Sequence, residues 1–339
     1  MQNIRRCCSL LLVLALLLCL GSCGSGAEKR EKTLFAMDTV MLLTAYGKNA
    51  EAGLAAASET ISALDALLSP EKEGSAVYRL NRGETVPDED VLSLVESCRA
   101  VYDVSGGAFD PTVYPLVKLW GFIDENYRVP TDAEIGAALG SVDFSAVTVS
   151  PQGVTLPAGA SLSFGASAKG YAAQRAAEAM AAAGVESGIL SLGGNVQTLG
   201  VKPDGKDWTV GVQDPADPSS VLGTLSLGGG LAAVTSGGYQ RFFEQDGRTY
   251  PHILDPETGR PAESGLTGVT VVCADGALAD ALSTALFVLG ENAALELWRN
   301  MGSFELLLVT SDGRLVLSPQ LAKRFTAAKN ADYSVEIAG

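Results

Sequence analysis

Residues 165–195, GASAKGYAAQRAAEAMAAAGVESGILSLGGN, decide the fold. The alanine-rich part predicts a helix from Ala168 to Ala183, because alanine favours helices most strongly and Gly184 is a typical helix end. The apolar run 188–192 then predicts a strand, and the glycine pair that follows predicts a tight turn. The chain therefore combines helices with strands that end in short turns.

Strand patterns outnumber helix patterns in the rest of the sequence. Helical periodicity is present at 49–68, 92–104, 278–289 and 292–301. Strands are expected at 33–46, 208–212, 222–227, 231–235, 268–273, 304–310 and 315–317, with short ones between 147 and 163. Because several neighbouring strands are joined by short Gly or Asp turns, we expect an α+β fold with a largely antiparallel sheet and no Rossmann repeat.

The N-terminus has the pattern of an export signal. Arg5 and Arg6 precede an apolar run at 10–20 that is too short to span a bilayer as a mature helix. The run ends in Leu-Gly-Ser-Cys, which resembles the lipobox of bacterial lipoproteins. We therefore expect a signal peptide at 1–23 with Cys23 acylated by a lipid such as palmitate, a tether at 24–32, one domain at 33–330 and a tail at 331–339.

Charge and cysteine content exclude several classes of protein. The formal net charge is −15, and loss of the signal would make it more negative, which disfavours nucleic acid as a partner. Cys98 and Cys273 are the only cysteines beyond the predicted signal, and buried free thiols are the default expectation, although pairing stays open. No Cys/His cluster has zinc spacing, so only a hard, oxygen-liganded cation stays open.

His252 is the only histidine of the 339 residues and lies in the run YPHILDPETGRP at 250–261. The prolines and the Asp-Pro and Thr-Gly pairs predict a rigid turn, which can position a functional group. General acid-base chemistry near neutral pH therefore depends on His252 or on a carboxylate with a shifted pKa. The alternative is a histidine that only caps the turn.

Three glycine-containing turns are candidates for main-chain contacts to a ligand. The entry to the alanine-rich helix, 165–171, offers free N–H groups and the charge of Lys169 to phosphate oxygens. The turns at 193–195 and 235–239 follow apolar strands and would join it in one cleft if those strands are neighbours. Each turn alone is equally consistent with packing.

Asp280 and Thr284 lie one helical turn apart in an Ala/Leu-rich helix. Their spacing puts a carboxylate and a hydroxyl on one face, as a hard-cation site requires. The alternative is an aspartate stabilised by the helix dipole and a threonine bonded back to a carbonyl.

Taken in order, these segments resemble the ApbE family of flavin transferases. The resemblance extends over most of the mature chain and is carried by Met37-Asp38-Thr39, 75–81, 107–113 with 120–122, 165–171, 191–195, 235–237, 252–259 and 279–285. It implies a mixed, T-fold-like α+β domain. It also implies transfer of the FMN half of FAD to a Thr or Ser hydroxyl of an acceptor protein, with magnesium as cofactor and AMP as the other product.

The resemblance also implies roles for individual residues. The metal ligands would be Asp280, Thr284 and the main-chain carbonyl of Ala166, with His252 as the candidate base. The FAD contacts would come from Met37, Tyr78, Ala108, Phe109, Asp110, Ser163, Lys169, Leu254 and Ser283. The implied acceptors are membrane redox subunits with a Ser/Thr-Gly-Ala-Thr-like motif, and the implied location is the outer face of a bacterial cell membrane, through the lipid anchor.

Ser163 departs from the family pattern, which usually has an acid at this position. A hydroxyl can still bond to FAD but adds no charge. Two competing functions stay open: a hydrolase that splits FAD into FMN and AMP with water, and a tethered lipoprotein that binds a flavin or another nucleotide without catalysis.

Overall fold

The computed structural model describes residues 27–329 and 332–339. The predicted signal peptide and the lipid site at Cys23 lie outside the described residues. Two boundaries differ from expectation, because the first strand begins at Lys29, inside the predicted tether, and the predicted tail contains a strand at Ser334–Ile337. Each of these two strands lies at an edge of a sheet and pairs with one neighbouring strand. Charged side chains are tolerated at an edge because they reach solvent.

Within the described residues, the helices and strands alternate irregularly along the chain. The helices are α1 Ala50–Leu68, α2 Ala76–Leu80, α3 Glu89–Val104, α4 Tyr114–Leu119, α5 Asp132–Leu139, α6 Ala168–Ala182, α7 Gly276–Met301 and α8 Pro319–Ala322. The strands are β1 Lys29–Ala36, β2 Thr39–Tyr46, β3 Thr148–Ser150, β4 Gly153–Thr155, β5 Ser187–Leu192, β6 Asn195–Leu199, β7 Trp208–Gln213, β8 Val221–Leu227, β9 Ala232–Gly237, β10 Phe242–Gln245, β11 Arg248–Pro251, β12 Leu266–Cys273, β13 Glu305–Thr310, β14 Arg314–Leu317, β15 Phe325–Ala327 and β16 Ser334–Ile337.

A nine-stranded sheet in the order β1-β2-β5-β6-β9-β12-β13-β14-β16 organises the molecule. Its neighbours pair antiparallel except β14 and β16, which confirms the predicted largely antiparallel α+β fold. Helices α1, α3, α6 and α7 bury one face in the main apolar core. The small sheet β15-β8-β7 packs on the other face, where side chains such as Leu225 and Leu307 share a second core.

Helix α7 confirms the prediction of two consecutive helices at 278–289 and 292–301. Gly290 interrupts it with φ 77°, a conformation that glycine adopts without strain, so the two halves meet at a kink. Among the described helices, α7 alone has the length and hydropathy of a membrane span. Its apolar residues, such as Leu282 and Leu286, are instead buried in the main core.

Cys98 and Cys273 are free and buried, which confirms the default expectation for these thiols. Burial raises the pKa of Cys98 to about 12 and that of Cys273 to about 11. Both side chains therefore stay protonated and behave as small apolar groups.

Candidate functional site

Two turns lie side by side at one end of the main sheet. Met37 and Asp38 join β1 to β2 in a two-residue turn with φ 48° and 56°, as a tight hairpin requires. The N–H of Met37 donates a 2.7 Å hydrogen bond to Asp65, which holds this strained backbone in place. The turn after β5 contacts it closely, because a Cβ atom on Gly193 would lie 2.4 Å from Oγ1 of Thr39.

Strand β9 brings a third segment to the same end of the sheet. Ser236 lies near its C-terminal end, and its Oγ is 2.7 Å from Oγ of Ser283 and 3.1 Å from Oγ1 of Thr284. These contacts connect the sheet to α7. The sequence indicated the turn at 235–239 but did not single out Ser236, because the contact joins residues 47 positions apart.

Helices α6 and α7 meet at a pair of glycines. A Cβ atom on Gly170 would lie 2.0 Å from the carbonyl oxygen of Gly276, so the approach is possible only without a side chain. The closeness lets the N–H of Gly170 donate a 2.9 Å hydrogen bond to Oδ2 of Asp280, which is 4% exposed. In a regular helix this N–H would bond to Ala166, whose carbonyl accepts no hydrogen bond within the described part of the chain.

The same region offers a set of hard oxygen donors. The described residues contain no group of three or more His, Cys, Asp or Glu side chains suited to a metal ion. The start of α6 and the first turns of α7 supply one carboxylate (Asp280), one partly exposed hydroxyl (Thr284) and the open carbonyl of Ala166. Asp280 has no ion-pair partner among the described side chains, so this set fits a magnesium ion that keeps water or substrate oxygens as further ligands.

His252 follows the hairpin β10–β11. Its Nδ1 lies 3.0 Å from the carbonyl oxygen of Arg241, and its backbone N–H donates to the same oxygen at 3.0 Å. Because a carbonyl only accepts, Nδ1 carries the proton and Nε2 keeps the lone pair. Burial lowers the pKa of His252 to about 4, with the nearby charges of Lys169 and Arg241 acting in the same direction.

The chain neighbour of His252, Pro251, lies beside the end of β9 and beside α7. A Cβ atom on Gly238, which directly follows β9, would lie 3.2 Å from Cβ of Pro251 and 3.6 Å from Cζ of Phe287 in α7. The turn that contains His252 therefore lies next to α7, the helix that contains Asp280. At neutral pH the imidazole is uncharged and can accept a proton.

Ser163 lies just before the start of α6, and Lys169 is the second residue of that helix. Oγ of Ser163 accepts a 3.2 Å hydrogen bond from the N–H of Gly165, whose carbonyl accepts one of 3.1 Å from Nζ of Lys169. Asn81 bonds to both main-chain groups of Leu162, at 2.9 and 2.8 Å. This pair joins the loop before α6 to helix α2.

Tyr78 belongs to α2 and is partly exposed. The guanidinium carbon of Arg82 lies 4.3 Å from its ring centroid. The face of the Tyr78 ring is therefore in contact with a cation, and the hydrogen bonds between Asn81 and Leu162 join the end of the same helix to the loop before α6.

Asp110 is the one polar side chain of residues 108–110, and it faces the protein interior. Asp110 is 7% exposed, and its oxygens accept from the N–H and hydroxyl of Thr112 and from the N–H of Phe144. Burial raises the pKa of Asp110 against the effect of these bonds. Phe109 is buried in the main core, so the structure has no exposed ring at this position, and contacts from the segment to a ligand are left to its backbone and to the partly exposed Ala108.

Leu254 and Ser283 are also buried. Leu254 packs in a small core with Trp120 and Phe243. Ser283 donates a 2.8 Å hydrogen bond to the carbonyl of Asp280, one helical turn earlier. Neither side chain is open to solvent, whereas the neighbouring Thr284 is partly exposed.

Asn195 is a further polar residue at this end of the sheet. It directly follows Gly193-Gly194, is 2% exposed, and its Nδ2 has no hydrogen-bond partner within the described residues. An unpaired buried donor is costly, so it marks a strained point of the site that the sequence showed only as part of a turn.

The chain is similar to known proteins over most of its length. The family model described as the ApbE family matches residues 37–308. The FAD:protein FMN transferase of Treponema pallidum (strain Nichols) is 32% identical over 339 residues, covering 92% of this chain and 94% of that protein. The enzyme of the same name from Klebsiella pneumoniae (strain 342) is 33% identical over 305 residues, covering 86% and 92%.

Two solved structures are similar along almost their whole length. The ApbE protein from Thermotoga maritima superposes with a TM-score of 0.81 at 34% identity, covering 88% of this chain and 99% of that one. The apo form of the flavinyl transferase ApbE from Pseudomonas stutzeri superposes with a TM-score of 0.78 at 29% identity, covering 89% and 98%.

Proposed function

This chain belongs to the ApbE family, and on that premise we propose that it is an FAD:protein FMN transferase. The observation that supports the proposal is the contact of the helix entry at 165–170 with α7, where the buried carboxylate of Asp280 accepts from Gly170 and the carbonyl of Ala166 stays open. In this reaction the acceptor group would be a Thr or Ser hydroxyl, and AMP would be released.

The reaction is a displacement at phosphorus. The hydroxyl oxygen of the acceptor bonds to the phosphorus of the FMN half, and the bridging P–O bond to the AMP half breaks. The hydroxyl proton goes to a base, and AMP leaves with the bridging oxygen. Most of the catalytic effect in such reactions comes from positioning and from electrostatic stabilisation of the phosphoryl oxygens.

His252 is suited to be the base. The bond from Nδ1 to the Arg241 carbonyl orients the ring and leaves the Nε2 lone pair available for the hydroxyl proton. The low pKa of this imidazole keeps it unprotonated at neutral pH. It also makes His252 a weak base, so proton removal would be effective only as the oxygen–phosphorus bond forms.

The start of α6 is suited to bind the pyrophosphate. Within 165–171, the N–H groups of Ala166 and Lys169 have no partner among the described residues, and with the Lys169 ammonium they would attract phosphate oxygens. Asp280, Thr284 and the Ala166 carbonyl would hold magnesium, which when bound neutralises negative charge on the pyrophosphate. Ser163 would add a neutral hydrogen bond where an acid is usual in the family.

Mass spectrometry of an acceptor tests the proposal directly. A soluble redox domain with a Ser-Gly-Ala-Thr segment is incubated with the protein, FAD and magnesium, and the expected result is a mass increase of one FMN with AMP released in equal amount. Release of FMN and AMP without modification of the acceptor would instead identify a hydrolase. Binding of FAD without either product would identify a carrier.

We further propose that the protein is anchored to the outer face of a bacterial membrane by a lipid on Cys23, which would bring it close to flavin-carrying redox subunits. Growth with a labelled fatty acid tests this. The label should enter the wild-type protein and be absent from the Cys23→Ser variant, whose soluble domain should keep its activity.

A further inference from the structure

An apolar patch lies on the open face of the hairpin β1–β2. Phe35 is 70% exposed, Val40 63% and Leu42 44%. Phe35 and Val40 are register partners, and Leu42 is two residues further along β2, so the three side chains share one face of the sheet. We call these three residues the hairpin patch.

The patch is open because the second sheet stops short of it. The β15-β8-β7 sheet packs on this face and reaches β2 only at the far end, where the rings of Tyr46 and Trp208 are 6.1 Å apart. Toward the turn at Met37, the described residues leave the face uncovered. The opposite face of the same strand, with Met41 and Leu43, is fully buried under the helices.

The patch also borders the candidate site. Its two strands are joined by the Met37-Asp38 turn, and Thr39 packs against Gly193 in the neighbouring turn of the site. A protein seated on the patch would therefore reach the strand ends at which FAD is proposed to bind. As the edge strand of the main sheet, β1 also offers unpaired backbone groups to a partner.

The charges around the patch favour a protein over a lipid surface. Lys29 pairs with Glu31 at 2.7 Å, and Arg30 pairs with Glu28 at 2.5 Å. These pairs offset the charges of Lys29 and Arg30 and leave Lys32 as a single basic residue of β1; because the whole chain is acidic, anionic headgroups would find little positive charge here.

We propose that the hairpin patch is the docking surface for the acceptor protein, which covers Phe35, Val40 and Leu42 with an apolar surface of its own. This inference rests on the proposed transferase function and names where the partner of that site binds. The patch lies outside the groups assigned to FAD and magnesium, so its loss should weaken acceptor binding and leave FAD binding intact.

The test compares two double variants. F35S/V40S removes the patch, and V335S/I337S removes two exposed apolar side chains, 50% and 60% exposed, from the opposite edge of the same sheet. For each we measure FAD affinity by flavin fluorescence and the KM for the acceptor redox domain by mass spectrometry. We expect F35S/V40S to raise this KM about tenfold or more without changing the affinity for FAD. The control variant V335S/I337S should have the KM and the FAD affinity of the wild type.

The outcomes separate the inference from the function. A wild-type KM in F35S/V40S overturns the docking surface alone, whereas failure of the wild-type protein to add FMN overturns the proposed function and the surface with it. With an unchanged KM, weaker sedimentation with phosphatidylglycerol vesicles would assign the patch to the bilayer. Loss of a dimer on gel filtration would then assign it to a second copy.

Discussion

The N–H of Gly170 and the carboxylate of Asp280 are joined by a 2.9 Å hydrogen bond that links the start of α6 to the first turns of α7. The two residues are 110 positions apart in the chain. The bond diverts an N–H from the carbonyl of Ala166, so a single contact both orients the carboxylate and leaves a second oxygen donor open.

Asp280→Asn separates the charge of this residue from its hydrogen bond. The amide oxygen can still accept from Gly170, but the negative charge that attracts a cation is lost. We expect magnesium-dependent FMN transfer to fall by at least about 100-fold, since a metal contributes several kcal/mol to such reactions. Circular dichroism should show the wild-type fold, and full magnesium-dependent activity would contradict the metal assignment.

His252→Asn tests the base. Asparagine can keep a donor toward the Arg241 carbonyl but cannot take up a proton. We expect kcat to fall by about 10²–10⁴-fold, with the Kd for FAD nearly unchanged, because a base acts in the transition state. Single-turnover kinetics and fluorescence titration measure the two quantities. A variant that loses FAD affinity and keeps kcat would show that His252 binds substrate instead.

The pH dependence of transfer should reflect the lowered pKa of His252. The base must be unprotonated, so kcat/KM is expected to stay level from neutral pH down to about 5 and to fall as the pH passes through about 4. The acidic limb should be missing from the residual activity of His252→Asn. A limb centred near 6.5 in the wild type would mean that the imidazole is not desolvated.

The same shift affects stability. The unfolded chain takes up a proton on His252 as the pH falls through about 6.5, whereas the folded protein does so only near pH 4. The wild type should therefore lose up to about 3 kcal/mol of unfolding free energy over this window relative to His252→Asn. Urea unfolding at pH 7, 5.5 and 4.5 measures the difference, and parallel curves for the two proteins would refute it.

Gly170→Ala tests the close contact of the two helices. The new methyl group would lie 2.0 Å from the Gly276 carbonyl and 2.8 Å from Cβ of Asp280, so α6 and α7 must move apart. We expect a loss of about 1–3 kcal/mol of stability together with a loss of transfer activity. Gly136→Ala in α5 is the matched control: nothing lies within 4 Å of its added Cβ, and it should stabilise by about 0.5–1 kcal/mol. Equal stability of both variants would exclude the steric argument.

Local features of the fold could be predicted from the sequence. Helix α6 and the interruption of α7 at Gly290 follow from propensity and periodicity over a few residues. The shared face of Asp280 and Thr284 follows from helical spacing. The start of β1 inside the expected tether was missed, because its charged residues form a strand only by pairing with β2.

Long-range contacts account for what the sequence left undetermined. The pairing of Ser236 with Ser283, the bond from Gly170 to Asp280 and the tautomer of His252 each depend on residues that are distant along the chain or on a carbonyl with no sequence pattern. The inward-facing carboxylate of Asp110 is a further case. Its bonds to Thr112 and Phe144 use the oxygens that a sequence-based assignment would give to a ligand.

The two free thiols have a consequence for how the protein is made. Cys98 and Cys273 are shielded from glutathione and from disulfide-forming enzymes once the domain has folded, and their high pKa values leave almost no thiolate to react. The domain thus matures without an oxidative folding step. Its yield after refolding should be the same in dithiothreitol as in air.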